Sequence, residues 1–323
     1  MRNRLRCICI LAAALAVVVS ATPSPAQTWP QRPVKFLVTL GPGSGVDIGT
    51  RLLADRLSKH WGQPVVVENR PGGDGLVAIT AMIAAQDDHV LLASPTSSFT
   101  AHPFVYKNLP YKPEDLQPIA RVSNTIIVMA VPADLPVQSL AEFVALARAQ
   151  PGKLNWAGTT GAIDFLVAGF LRNAGLSLSK VPYRNQVEAA TDLAAGRIQL
   201  NETAYAIMRP QLQAGKVKLL AVTNSVRAPV LPDLPTVTQA GFPDLALDGL
   251  VGFFGPPEMP LPLRTRIAAD VVEVGADPAI AARLNDTGQL PNSGGPAEFH
   301  AAIELQRERV AAAAKELGIV PTE

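Results

Sequence analysis

The run Gly41 to Gly49, GPGSGVDIG, holds the residues best suited to chemistry. An apolar, β-branched stretch precedes it, and Asp47 then opens a helical pattern. A buried strand, a turn of bare backbone amides and a helix N-terminus bring N–H groups and a helix dipole to one place. Such a turn holds a carboxylate, a phosphate or another polarised group. Three more specific readings fail on spacing. With Gly43-x-Gly45 as the first pair of a dinucleotide fingerprint, Ile48 stands where the third small residue belongs, even though Glu68 falls where a ribose-binding acid would. No lysine follows the loop, so it is not a P-loop. Ser44 is flanked as Pro42-Gly43-Ser44-Gly45 rather than Gly-x-Ser-x-Gly, so it is no nucleophile elbow.

The other candidates are sparse. His60, His89, His102 and His300 form no His-x-His or His-x-x-x-His pair and read as surface or loop residues. Hydrolase chemistry therefore has no carrier, and neither a metal nor a cofactor is expected. Two acids stand out. Asp164 follows the turn Thr159-Thr160-Gly161 at a predicted helix N-terminus, where capping alone would also account for it. Glu202 closes a predicted strand, where side chains face a cleft.

The N-terminus reads as an export signal. Arg2, Arg4 and Arg6 precede an apolar segment, Ile8 to Val19, too short to span a bilayer comfortably, and Ser24 and Ala26 offer a small-residue cleavage site. Residues 1–26 are expected to be removed, a retained anchor being the alternative. Cys7 and Cys9, the only two cysteines, go with them, which leaves no disulfide or thiolate. Of 28 Lys and Arg, 25 remain against 27 Asp and Glu, a net charge of −2. Nothing in that balance suggests nucleic acid. About 297 remaining residues favour two lobes over a single core.

The elements that must position the candidates alternate. The apolar run that begins at Val34 and ends in the glycine-rich turn is a predicted strand, and Ile48 to His60 a helix with Asp47 as N-cap. Val65 to Glu68 is a strand, Leu76 to Ala85 a helix, and Val90 to Ala93 a strand ending in a polar loop, Ser94 to Thr100. This spacing implies parallel crossovers, with ligands at the carboxyl ends of the strands. The pattern restarts at the strand Ile126 to Val131. Helices follow at Ser139 to Gln150, Ala162 to Asn173 and Val187 to Ala195, with strands at Ser179 to Tyr183, Ile198 to Glu202 and Val217 to Thr223. A proline-rich traverse, Arg227 to Pro262, returns the chain to the first lobe, and two helices close it, Leu263 to Val274 and Pro296 to Leu317.

Taken in order, WPQRPVKFLV, PGSGVD, GQPVVVENRPGGDG, YKNLPY, PGKLNWAG, VPYRN, LAAGRIQ, LQAGKVKLLAVTNSVR and LPDLPTVTQAGFP resemble the substrate-binding proteins of tripartite tricarboxylate transporters, the Bug family. The resemblance covers nearly all of the chain after the signal. It implies an α/β, two-lobed periplasmic binding protein with two crossovers, each lobe a mainly parallel sheet flanked by helices, and a ligand gripped between lobes that close about a hinge. The expected lobes are 27–125 plus 229–323, and 126–228. Carried over residue by residue, the ligand loop is Gly43, Ser44, Gly45, Val46 and Asp47. Ser94, Thr96 and Ser97 form a second wall of the first lobe. Thr159, Thr160, Gly161, Ala162 and Asp164, with Glu202 and Thr203, form the wall of the second.

The departures from the family pattern lie in that second wall and in the loop. Leu166 stands where relatives often carry His, Thr203 where they tend to carry Asp, and Val46 where Thr is common. The implied role is a monomeric, non-enzymatic receptor that passes a small carboxylate to permease subunits; a receptor that presents its solute to a sensor kinase is the alternative. With Asp164 and Glu202 both ionised in a low-dielectric cleft, citrate is expected to bind below aromatic or amino monocarboxylates.

Overall fold

A computed structural model describes residues 29–158, 161–183 and 185–321. The expected signal segment, Thr159 and Thr160 lie outside the described residues.

The first unit runs β1 (Val34–Val38), α1 (Gly45–Trp61), β2 (Val65–Asn69), α2 (Leu76–Ala85), β3 (Val90–Pro95), α3 (Thr96–Val105) and β4 (Gln117–Thr125). The second runs β5 (Ile127–Pro132), α4 (Leu140–Ala149), β6 (Leu154–Gly158), α5 (Ala162–Asn173), β7 (Leu178–Pro182), α6 (Gln186–Ala194), β8 (Asn201–Ala204), α7 (Tyr205–Gln213) and β9 (Val217–Val222). The chain then returns through β10 (Gly249–Gly255), α8 (Leu261–Gly275), α9 (Pro278–Asp286), β11 (Gln289–Gly294) and α10 (Pro296–Leu317).

The first sheet has the order β11-β4-β10-β3-β1-β2. Strands β2, β1 and β3 are parallel, and β10 enters antiparallel between β3 and β4. The second unit repeats this plan. Strands β6 and β7 are parallel, β5 lies antiparallel between β8 and β9, and a parallel bridge at Trp156 and Leu200 ties β6 to β8. Each parallel trio thus accepts one antiparallel strand, and that strand is the one by which the chain enters from the other unit. The family-type fold is this mixed arrangement.

Alternation in β1 explains its continuous apolar character. Val34, Phe36 and Val38 pack with Leu53 and Leu57 of α1 and Ile267 of α8. Leu37 faces the other way, to Ile79 and Met82 of α2 and Phe299 of α10. A strand covered by helices on both faces is apolar throughout.

Several expectations are corrected. α1 begins at Gly45 and its N-cap is Ser44, whose hydroxyl accepts the Asp47 N–H at 3.2 Å; Asp47 lies inside the helix. The segment predicted as a polar loop from Ser94 is the end of β3 and the start of α3. Two of its hydroxyls are satisfied internally, because Thr96 and Thr100 both donate to the buried Gln306 Oε1 of α10. Asp164 is not an N-cap; that position is Gly161. His102 is wholly buried, hydrogen-bonded to the Tyr111 hydroxyl and the Asp74 carbonyl, and His89 is buried too, so neither is a surface residue. Strands β4 and β11 and helix α9 were not expected. The polar residues Arg121, Ser123 and Asn124 disguise β4, which is paired on both sides, and Pro291 and Asn292 make β11 look like a turn; β11 is the edge of the sheet, where such residues are tolerated.

The two crossovers lie side by side. Between β4 and β5 stands only Ile126, whose N–H bonds the Gly288 carbonyl and whose carbonyl accepts the Tyr205 N–H. Asn224, buried on the returning segment, spans this point: its Oδ1 accepts the Ile127 N–H at 3.0 Å and its Nδ2 donates to the Thr125 carbonyl at 2.9 Å. The traverse after it does not go directly back. Val237, Leu245 and Leu247 pack with α4 and α5, and the first sheet is rejoined only at β10.

Candidate functional site

The glycine loop is held from within. The buried Asp47 carboxylate accepts the Gly43 N–H at 2.9 Å, the Arg51 Nε–H at 3.0 Å and the Asn69 Nδ2–H at 2.8 Å. Asn69 also donates to the Leu40 carbonyl at 2.9 Å. Asn69 lies opposite Val38 in the parallel register, which sets it beside the loop. The sequence reading ends that strand at Glu68 and puts Asn69 in the turn after it, whereas Asn69 is the last residue of β2. Asp47 therefore shapes the loop, and Gly43, at φ +83°, supplies the left-handed turn. The Val46 side chain is buried in the first-unit core. What Gly45 and Val46 present outward is backbone, and no described residue accepts from their N–H groups.

Gly45 is a glycine for packing reasons. A Cβ there would stand 2.5 Å from Gln289 Nε2 and 3.2 Å from the Thr287 carbonyl oxygen. Gln289 cannot move aside cheaply, because it is buried and bonded to the hydroxyls of Ser123 and Thr125. Gly45→Val is expected to destabilise the fold by roughly 1–3 kcal/mol through overpacking against β11, before any effect on a ligand. Urea unfolding measures this; an unchanged midpoint would remove the packing explanation.

The remaining first-unit candidates divide. Ser94 pairs with the Thr39 hydroxyl at 3.1 Å and donates to the Pro95 carbonyl, and Thr96 is bound to Gln306, so both hydroxyls are committed. Ser97 is half-buried and lies at the meeting of the two units. A Cβ on Gly161 would be 2.8 Å from the Ser97 carbonyl oxygen. In the second unit Ala162, Ile163 and Leu166 are buried in a cluster that includes Ala101 of α3 and Val310 and Ala313 of α10. The apolar residues of the predicted second wall thus join the contact between units.

Asp164 accepts the Lys180 ammonium at 2.7 Å, and Lys180 lies over the Trp156 ring, 5.5 Å from its centroid. The Thr203 hydroxyl donates to Gln186 Oε1 at 2.7 Å. Glu202 is 3% exposed, and neither of its oxygens has a hydrogen-bond partner. Burial, with the Asp164 charge second, pushes its carboxyl from 4.5 up to about 8. One acid of the wall is therefore charge-balanced and the other neutral at pH 7. The electrostatic case against a second ligand carboxylate loses most of its force.

Helix N-termini gather at this place in two pairs, each spanning the units. α3 and α5, begun by Pro95 and Gly161 without side-chain caps, meet at Ser97 and Gly161. α1 and α7 flank residues 287–289: Gln289 stands against Gly45, and a Cβ on Gly288 would be 3.4 Å from the Ala206 nitrogen. All four helices follow strands β1, β3, β6 and β8 at their carboxyl ends. Four positive dipole ends favour an anion, although Ser44 takes the Asp47 N–H of α1 and the Ile126 carbonyl takes the Tyr205 N–H of α7. Two cavities of about 470 and 400 Å³ lie elsewhere on the first unit, one between α1 and α9 and one beside α8 and α10, and neither is lined by these strand-end residues. The acids and imidazole of Asp87, Asp88 and His89 lie close together, but Arg32 and the Gln31 N–H already engage them.

Comparison with known proteins bears on the family and the fold. A sequence profile described as "Tripartite tricarboxylate transporter family receptor" matches residues 50–319. A UPF0065 protein of Bordetella bronchiseptica is 31% identical over 300 residues, covering 92% of this chain and 89% of its own length. Protein BugT of Bordetella pertussis is 29% identical, covering 75% and 76%. Among solved structures, Rpa4515 of R. palustris with adipate superposes with a TM-score of 0.79 at 27% identity, covering 91% of this chain and all of its own. The periplasmic binding protein BugD superposes at 0.75 and 26%, with 91% and 100% coverage. The chain belongs to the family of tripartite tricarboxylate transporter receptors, which bind solutes rather than transform them.

Proposed function

We propose that this protein is a monomeric periplasmic receptor that captures a small carboxylate between its two units and hands it to the permease subunits of a tripartite-type transporter. The observation that carries this reading is the pairing of four helix N-termini across the units, α3 with α5 and α1 with α7. One ligand carboxylate sits on the Gly45 and Val46 N–H groups. Ser44, Ser97 and Gly161 line its surroundings, while Asp47, Ser94 and Thr96 hold the walls in shape. The adipate in Rpa4515 supports a carboxylate as the ligand class. With Glu202 neutral and Asp164 paired, mono- and dicarboxylates with apolar bodies fit better than citrate, whose extra charge would still face Asp164. The lobes of this reading are 29–125 with 249–321, and 127–247, hinged at Ile126 and Asp248, with Asn224 bonded to the backbone on both sides of Ile126.

A bound acid stabilises only the folded state, by RT ln(1 + [L]/Kd), about 2.7 kcal/mol at a hundredfold excess over Kd. Native mass spectrometry of freshly purified protein is expected to show a retained small acid. A thermal-shift panel of adipate, malate, hexanoate, benzoate and citrate is expected to rank citrate last. No retained acid and no shift with any of the five would sink the receptor reading.

A further inference from the structure

Among the described residues, Glu202 is the carboxyl group whose two oxygens are both buried without a hydrogen-bond partner. It pairs across the sheet with Met129 and shares that face with Leu200. Its side chain therefore points toward the apolar cluster of Met129, Trp156, Ile163 and Leu166 beneath α5. The elements packed there bring few charges. β5 and β6 contribute Met129 and Trp156 to this face, and α3 contributes Ala101. α5 contributes Asp164, the one charged group that acts on Glu202, and Lys180 from β7 is held by Asp164 instead. Thr203 faces the other way, to Gln186.

An ionised carboxylate needs donors, and the described residues offer it none. In the acid form the group has one O–H to donate and no acceptor among the described residues. Buried polar groups without partners are rare in native proteins, and each calls for a reason. The position supplies one. Three residues after Glu202, the Tyr205 N–H bonds Ile126 at the crossover, and Asp164 belongs to the same turn as Gly161, which meets Ser97 of the first unit. Glu202 stands next to the place where the units enclose a ligand.

Resting on the carboxylate-receptor reading, we propose that Glu202 is an uncharged carboxylic acid that donates a hydrogen bond to an oxygen of the bound acid and thereby sets its specificity. An O–H to carboxylate bond is short and strong, and it satisfies the donor that the protein leaves unpaired. It also makes capture pH-dependent. The O–H is present while the group is protonated and is lost in alkali, when a carboxylate would meet a carboxylate.

The test titrates adipate, malate, hexanoate and benzoate against the natural protein, Glu202→Gln and Glu202→Leu at about pH 6.5 and about pH 9.5. The Gln amide keeps a donor of similar reach, and Leu removes it. The natural protein is expected to lose about tenfold or more in affinity between the two pH values, following the ionisation near 8. Glu202→Gln should bind about equally at both. Glu202→Leu should bind about tenfold or more weakly at the lower pH. In parallel, infrared spectra should show a protonated carboxyl C=O stretch at the lower pH that disappears in Glu202→Gln and moves when the acid is added. Equal affinities for all three proteins at both pH values, or an infrared band that ligand leaves unmoved, would overturn the contact. Absence of the band in the natural protein would overturn the neutral state. If none of the four acids binds, the contact fails, and the receptor reading fails with it when citrate also gives no shift and no acid is retained, while the band still decides the protonation state.

Discussion

Glu202→Gln is expected to make the protein more stable than the natural chain at about pH 8.5, and to abolish much of its loss of stability with rising pH. In the unfolded chain a glutamate releases its proton near 4.5, whereas in the fold this one holds it to about 8. Between those values the folded state binds more protons than the unfolded state, so stability falls as pH rises. Below about 4.5 the group imposes no such penalty, and above about 8 the penalty is complete. At about 1.4 kcal/mol per unit, the shift amounts to on the order of 4–5 kcal/mol. Glutamine does not ionise, but its own unpartnered amide costs roughly 1–3 kcal/mol, which leaves a net gain of roughly 1–4 kcal/mol above pH 8. Urea unfolding of both proteins at about pH 5 and about pH 8.5 measures the effect. Parallel pH dependences would mean that Glu202 is ionised in the native state at both.

Gly161→Ala is expected to keep each unit folded while separating the two. Gly161 has φ +77° and ψ −164°, a region that only glycine visits without strain of roughly 1–3 kcal/mol. A Cβ would also approach the Ser97 carbonyl oxygen to 2.8 Å. That atom is backbone of the other unit and cannot turn away as a side chain could. The relief open to the molecule is movement of α5 away from α3, which separates the two uncapped N-termini and divides the anion site. Affinity for the carboxylate identified by the panel should fall about tenfold or more, the equivalent of about 1.4 kcal/mol. Small-angle scattering in the presence of that acid should show a larger radius of gyration than for the natural protein. Normal affinity with unchanged dimensions would show that the Ser97–Gly161 contact plays no part in capture. The packing of Gly169 against Ala313, between α5 and α10, lies outside this change and should limit how far the units part.

The sequence by itself determined the elements whose signals are local. The β-branched run of β1, the glycine turn after it, the capping serine Ser139 and the long helix from Pro296 to Leu317 all follow from neighbours a few residues apart. The motifs taken in order also resembled the family to which the chain belongs. Strands β4 and β11 escaped for a physical reason: polar residues such as Arg121 and Ser123 find partners remote in sequence, Asn292 and Gln289, so neither strand shows an apolar alternation. The same distance hid how the candidate site is built. That Asp47 serves the loop depends on Asn69. That Gly45 must lack a side chain depends on Gln289. That the hydroxyls of Thr96 and Thr100 are spent depends on Gln306, more than two hundred residues away. Most of all, the sequence shows a glutamate at residue 202 but not its charge. Protonation depends on how much water and how many donors surround a carboxyl, and only the packing of α5 over β8 removed both.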